Sequence, residues 1–242
     1  MKEIIILITI LLFGFSKVSF AQEFNNSIDK DSLFLSILKK VPDGKRDELK
    51  KVYHEGNEQT KEFLLIMFSM PQSSKKELID NYEKKSVEIE KLKTEYSKLV
   101  PDSLIVSIEF NPENILVNTP TSLDIKIYSK NTKMWKNDWN ITYDSDLLNS
   151  KLEIIGWSKS DLNRIKSLLD SANCISISNG DFTTIGFSRS GMGKYFYQIH
   201  KHDLSAEEIT QINDGCMYIF YDRNVVLEYG SGATGSLCFP DK

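Results

Sequence analysis

His200-Lys201-His202-Asp203 is the one place in this chain where two histidines stand close enough to act together. On extended backbone, residues two apart point to the same face, so His200 and His202 with Asp203 have the donor types of a divalent-metal or acid–base site. Such a centre needs further ligands, and the sequence points to none; polar residues at a strand end account for the same letters. All three cysteines, Cys174, Cys216 and Cys238, lie in the second half. Activated by His200 or His202, one of them could act as a thiol nucleophile, but no cysteine-enzyme signature surrounds any of them. In an oxidising compartment three thiols read as one disulfide and one remainder. The expected pair is Cys216 with Cys238, tying the C-terminal tail to a strand, against the alternative of three small buried apolar side chains.

Two glycine-containing stretches come close to catalytic motifs and depart from them. Gly191-Met192-Gly193-Lys194 lacks the first glycine of a phosphate loop, where Ser188 stands, and Tyr195 replaces the magnesium-binding hydroxyl residue; a hairpin turn is the better reading. Gly186-Phe187-Ser188-Arg189-Ser190 lacks the closing glycine of a nucleophile elbow and joins strand to strand, whereas the elbow needs a strand-to-helix turn. Asp144-Ser145-Asp146 lacks the remaining ligands of a calcium loop and reads as a helix cap. No motif for a cofactor is present, and none is expected.

Aromatics form the more distinctive cluster. Tyr195, Tyr197, Tyr218, Phe220 and Tyr229 fall on neighbouring predicted strands, where alternation sends some rings to the outer sheet face. Such a face suits a protein, peptide or glycan ligand, since tyrosine offers wide contact area at low entropic cost. Ordinary core packing is the competing account of the same rings.

These residues need elements to hold them, and the period of the apolar pattern supplies the outline. Over residues 22–100 it is helical. A short helix carries Leu33, Phe34, Ile37, Leu38 and Val41 and stops at Pro42-Asp43-Gly44; a second runs from Lys45 with a stripe of Leu49, Tyr53, Gly56, Thr60, Phe63, Met67 and Met70. Ser74 with Glu77 is a capping-box signature for a third, folded back on the second as a hairpin. Phe63–Phe68 is apolar all round, so it must meet a further element or a partner. From residue 101 the period becomes two. Leu104, Val106, Ile108 and Phe110 alternate, then Leu123, Ile125 and Ile127; residues 129–138 read as a loop before a short strand from Trp139. Ser158 with Asp161 starts a helix carrying Leu162, Ile165, Leu168 and Leu169, and Asn179-Gly180 opens a run of hairpins that is interrupted by a short helix capped by Ser205 and Glu208. The expected class is α+β: three N-terminal helices over 22–100, then over 101–242 a mostly antiparallel sheet with one or two packed helices.

Residues 1–21 have the form of a secretory signal, with Lys2 before the apolar run Ile4–Phe15 and small residues Ser19 and Ala21 before a cleavage site. Lys17 ends the run short of a membrane span. The expected location is periplasmic or secreted, with cleavage after Ala21 and no stable membrane span in the mature chain. The 40% hydrophobic content supports a packed core. Residues 22–100 carry balanced charge and residues 101–242 are net acidic, so neither half offers the clustered Lys and Arg that nucleic acid requires. The reading is an extracytoplasmic binding protein, immunity-like in character, whose partner is a protein, peptide or glycan, with self-association as a further property. The alternative is an extracytoplasmic hydrolase or metal-dependent enzyme using His200 and His202.

Overall fold

The computed structural model describes residues 23–231 and 238–240, so the export signal read from residues 1–21 lies outside it. The chain forms two compact units. One holds the described residues up to Met70 together with Asn114–Thr119, and the other holds Pro71–Glu113 and the described residues from Pro120 onward.

The first unit is built from helices α1 (Lys30–Lys40), α2 (Asp43–Glu55) and α3 (Glu58–Ser69). Asp29 caps α1 by accepting from the amides of Asp31 and Ser32. The single long helix expected from Lys45 onward is two helices, because the chain leaves helical geometry at Gly56 (φ −72°, ψ 150°) and restarts at Asn57. Asn57 accepts from the Thr60 amide at 2.9 Å, and a side chain at Gly56 would lie 2.7 Å from the Val52 carbonyl. A strong cap beside a glycine, a poor helix former, outweighs the continuous apolar stripe. The Phe34 ring stacks on Tyr53 at 3.8 Å, and the Tyr53 hydroxyl donates to Asp31 at 2.9 Å. Leu64 and Leu65 of the apolar run are buried in this core, while Phe68 stays exposed. A single turn of 3-10 helix, Ile115–Val117, belongs here too, held by Asn25, whose amide donates to the Leu116 carbonyl at 2.7 Å.

The second unit opens with α4 (Lys75–Leu99), begun by the Ser74–Glu77 capping box. The strands β1 (Leu104–Asn111), β2 (Ser122–Ser129) and β3 (Met134–Thr142) follow, then α5 (Asp146–Ile155) and α6 (Lys159–Ser171). The chain continues through β4 (Ser176–Ser178), β5 (Thr183–Ser190), β6 (Gly193–Ile199), α7 (Ala206–Ile212), β7 (Tyr218–Asp222) and β8 (Val225–Ser231). All eight strands join one sheet in the order β3-β2-β1-β4-β5-β6-β8-β7, with every neighbouring pair antiparallel. The protein is therefore α+β, helices first and antiparallel sheet after.

Alternation decides which side chains meet the helices. Val106, Ile108, Leu123, Ile125, Ile177, Ile185 and Leu227 share one core with Leu78, Ile89 and Leu92 of α4, Leu148 and Leu152 of α5, and Leu162 and Ile165 of α6. Each such fully buried aliphatic side chain contributes about 1.5–3 kcal/mol. The Tyr96 hydroxyl anchors α4 to the sheet, donating to the Val106 carbonyl at 2.9 Å, and the Trp157 indole, just after α5, donates to the Leu99 carbonyl at the end of α4 at 2.8 Å. The change of period at Pro101 thus marks a change of secondary structure inside this unit, since α4 spends its apolar face on the sheet that follows it.

Residues 129–138, read from sequence as a loop, contain the start of a regular strand. β3 pairs with β2 from Met134 opposite Ser129 to Thr142 opposite Ser122. The apolar alternation that marks a strand is missing because β3 ends the sheet and nearly all of its side chains meet water.

Candidate functional site

The aromatic set divides by burial. Tyr195, Tyr197 and Tyr229 point inward and are core residues, so the expectation that they contact a ligand is corrected; alternation places them on the face that the helices cover. The Tyr197 hydroxyl donates to the Leu78 carbonyl at 2.7 Å and accepts from the Asn81 amide at 3.2 Å. Burial pushes its ionisation far above the ordinary phenol range, as expected of a structural hydroxyl. Tyr229 crosses Gly193, where any Cβ would overlap its ring. That close approach, together with the left-handed turn at Gly191 (φ +58°), accounts for the glycines of the loop that came close to a phosphate motif. Tyr218 and Phe220 lie opposite Glu228 and Val226 of β8 and remain partly exposed.

Exposed aromatics lie instead at the far end of the sheet, where the sequence suggested a loop. Trp135 is 55% exposed, Trp139 59% and Met134 63%. Trp135 sits opposite Tyr128 with ring centres 4.9 Å apart. Trp135, Asn137 and Trp139 are spaced by two along β3 and so share the outer sheet face with Tyr128 and Lys126. The alternate residue Asp138 turns to the helix side, where its carboxylate meets Lys151 of α5 at 2.5 Å. A bulge follows: Asp124 of β2 faces both Trp139 and Asn140, with Asn140 left-handed (φ 55°) and its amide donating to Asp124 at 2.8 Å.

Toward the centre of the same outer face the side chains are polar and mutually paired. Glu109 accepts from both Arg189 and Lys194. The Lys194 ammonium also lies 5.2 Å from the Phe196 ring centre, and Gln198 donates to Glu228 at 2.7 Å. Burial holds the Lys194 ammonium below its ordinary range despite Glu109 beside it, and burial raises Glu228. This centre is largely sealed, and the β2–β3 wing is the open part.

The histidines do not assemble a reactive centre. His202 pairs with Glu208 through Nε2 at 2.9 Å on the surface. The Ser205 amide chiefly, and His202 next, hold Glu208 down to about 2, as a capping-box carboxylate should be. His200 lies against the Phe182 ring at 5.0 Å, its Nε2 buried without a hydrogen-bond partner. Among the described residues no group of three or more His, Cys, Asp or Glu is arranged to hold a metal ion, and Asp203 joins no such cluster. Cys216 and Cys238 are at bonding distance and form a disulfide. Cys174 is free and buried, and burial pushes its thiol up to about 12, which keeps it protonated and unreactive. Ser145 caps α5 through the Leu148 amide, so the Asp144–Asp146 stretch is a cap.

A cleft of about 720 Å³ lies along α4, the end of α6 and β5, lined in part by Asn81, Lys84, Asp170, Asn173, Ser188 and Arg189. Asn81 is its buried floor, donating to the Ala172 carbonyl at 3.2 Å and accepting from Asn173 at 2.9 Å. Its lining mixes carboxylates, Glu77, Asp80 and Asp170, with the cations Lys84, Lys85 and Arg189. Nothing in the sequence singled out this cleft or the Trp135–Trp139 wing; two tryptophans four residues apart in a polar stretch were the available signal for the wing. No helix among the described residues is long and apolar enough to cross a membrane. No protein-family model, no curated protein and no solved structure matches this chain.

Proposed function

We propose that this chain is an extracytoplasmic protein-binding protein whose contact surface is the outer face of the β2–β3 wing. The observation that carries the reading is the pair Trp135 and Trp139, each more than half exposed on one rigid sheet face. Exposing two indoles to water is unfavourable, and the side chains most often responsible for interface affinity are Trp, Tyr and Arg. Tyr128 widens the aromatic patch, and Lys126 and the mixed-charge residues around it give the polar rim that protein interfaces have. The location outside the cytoplasm rests on the form of residues 1–21 and is supported by the Cys216–Cys238 disulfide.

The test is paired affinity capture from the periplasmic or secreted fraction, using the wild-type chain and the Trp135→Ala/Trp139→Ala variant as baits. A protein retained by the wild type and lost by the folded variant is the expected result. Equal retention by both would move the contact surface elsewhere.

A further inference from the structure

The two ends of the sheet are finished differently. At the β7 end, the loop after α7 covers the strand's outer backbone groups: the Tyr218 amide donates to Asp214 at 2.8 Å, the Phe220 amide donates to Asn213 at 3.0 Å, and the Tyr218 carbonyl accepts from the Gly215 amide at 3.3 Å. Residues 218 and 220 are those whose amides turn away from the sheet, so that edge cannot take another strand. At the β3 end no such cap is present among the described residues. β3 pairs with β2 on one side only, which leaves a row of outward amides and carbonyls from Met134 to the bulge at Trp139 and Asn140.

The residues along that bare edge read Trp135-Lys136-Asn137-Asp138-Trp139, and they are self-complementary about Asn137. In an antiparallel pairing of two identical strands centred there, Trp135 of each copy faces Trp139 of the other on the outer face. Lys136 of each faces Asp138 of the other on the helix face, and Asn137 faces itself on the two-fold axis. A two-fold interface demands this kind of match, in which each contact is made twice. Lysine on an edge strand ordinarily deters pairing with another chain. Here the deterrent is cancelled for one partner in one register, because Asp138 stands two residues on with one oxygen held by Lys151 and the other free to accept. The bulge at Trp139 and Asn140 ends the regular segment at the last residue the register uses.

We propose that the protein forms a two-fold dimer by antiparallel pairing of β3 with β3 of a second copy, in register about Asn137. The pairing extends the eight-stranded sheet across the axis and brings the Trp135, Trp139 and Tyr128 clusters of both copies into one continuous aromatic strip. It goes beyond the partner-binding reading, since it uses the strand's backbone edge and leaves the outer face open.

Sedimentation velocity of the purified full chain over a concentration series tests it. The expected result is a shift to twice the single-chain mass. Lys136→Glu, which sets two carboxylates opposite each other, raises the dissociation constant by at least about tenfold. Asn137→Cys fixes the register, because only a residue on the axis faces its own copy at the roughly 5 Å that a disulfide can span. This variant forms a covalent dimer on mild oxidation, and Thr132→Cys at the exposed β2–β3 turn stays monomeric. A wild-type chain that remains monomeric at all concentrations overturns the proposal, as does a dimer in which either the Lys136→Glu or the Asn137→Cys response is missing. Lys136→Glu retains both tryptophans, so partner capture by this variant reports on the binding reading separately.

Discussion

The hydroxyl of Tyr197 donates to the backbone carbonyl of Leu78 at 2.7 Å, joining the middle of strand β6 to the first turns of helix α4. The ring is wholly buried, and the same oxygen accepts from Asn81, whose amide also reaches the Ala172 carbonyl at the end of α6. The phenol therefore ties α4 to the sheet, and Asn81 carries the link on to the end of α6. Tyr197→Phe is expected to lower stability by about 1–2 kcal/mol, because the Leu78 carbonyl loses its donor and the Asn81 amide loses an acceptor in a buried setting. Urea unfolding followed by far-UV circular dichroism measures it, with an unchanged slope showing that only the native state was altered.

Gly193 makes room for Tyr229 across the β6–β8 pairing. Gly193→Ala is expected to cost about 1–3 kcal/mol by displacing the ring, whereas Gly44→Ala, with open space at its Cβ, should cost nothing from overlap. Equal midpoints for the two variants in thermal unfolding would refute the packing role assigned to Gly193.

The exposed tryptophans should separate stability from binding. At protein concentrations low enough to keep the chain monomeric, Trp135→Ala and Trp139→Ala, singly or together, are each expected to change unfolding free energy by no more than about 0.5 kcal/mol, as surface substitutions do. A destabilisation of core size in the same denaturation assay would mean that these rings are structural.

The disulfide closes a segment of sequence separation 22. Replacing Cys216 and Cys238 by serine removes a restraint on the unfolded chain of about 3 kcal/mol. Under non-reducing conditions the native protein should show no alkylatable thiol and the denatured protein one, Cys174, which burial shields and pushes up to about 12 in the folded state. Thiol counting by mass spectrometry with and without denaturant checks both statements.

His200 introduces a pH dependence of predictable sign. Burial, with His202 as the next contributor, holds it below the ordinary 6.5, so as pH falls the unfolded chain takes up this proton before the folded one. Its contribution is fully present above about 6.5 and is lost as pH falls through the folded value. Glu208 acts in a lower window: its folded value of about 2 lies beneath the ordinary 4.5, so the stability it adds is present above 4.5 and lost on further acidification. Denaturation midpoints measured across the mildly acidic range should decline for the wild type and decline less for His200→Gln. Parallel profiles would remove His200 as the cause.

Local physics decided much of this protein before any tertiary contact was known. The three capping boxes at Ser74, Ser158 and Ser205 begin helices where side chain and backbone satisfy one another within four residues, and the alternation of Val106, Ile108 and Phe110 makes a strand with one buried face. The Cys216–Cys238 pairing was also legible, from the tail position of Cys238 and the strand that follows Cys216. Two features were settled only by the three-dimensional arrangement. A period of two shows that Tyr195, Tyr197 and Tyr229 share a face with one another, but which face the helices cover depends on where α4, α5 and α6 dock. Almost no side chain of β3 is buried, so this edge strand lacks apolar alternation and left a polar signature that reads as a loop. The break at Gly56 and Asn57 is local instead, a cap to the Thr60 amide prevailing over a continuous apolar stripe. Sequence alone determined the class and most of the elements, because those follow from contacts between near neighbours in the chain. Tertiary structure determined which aromatics reach water and which sheet edge stays bare, because both are properties of what packs against a residue from elsewhere in the fold.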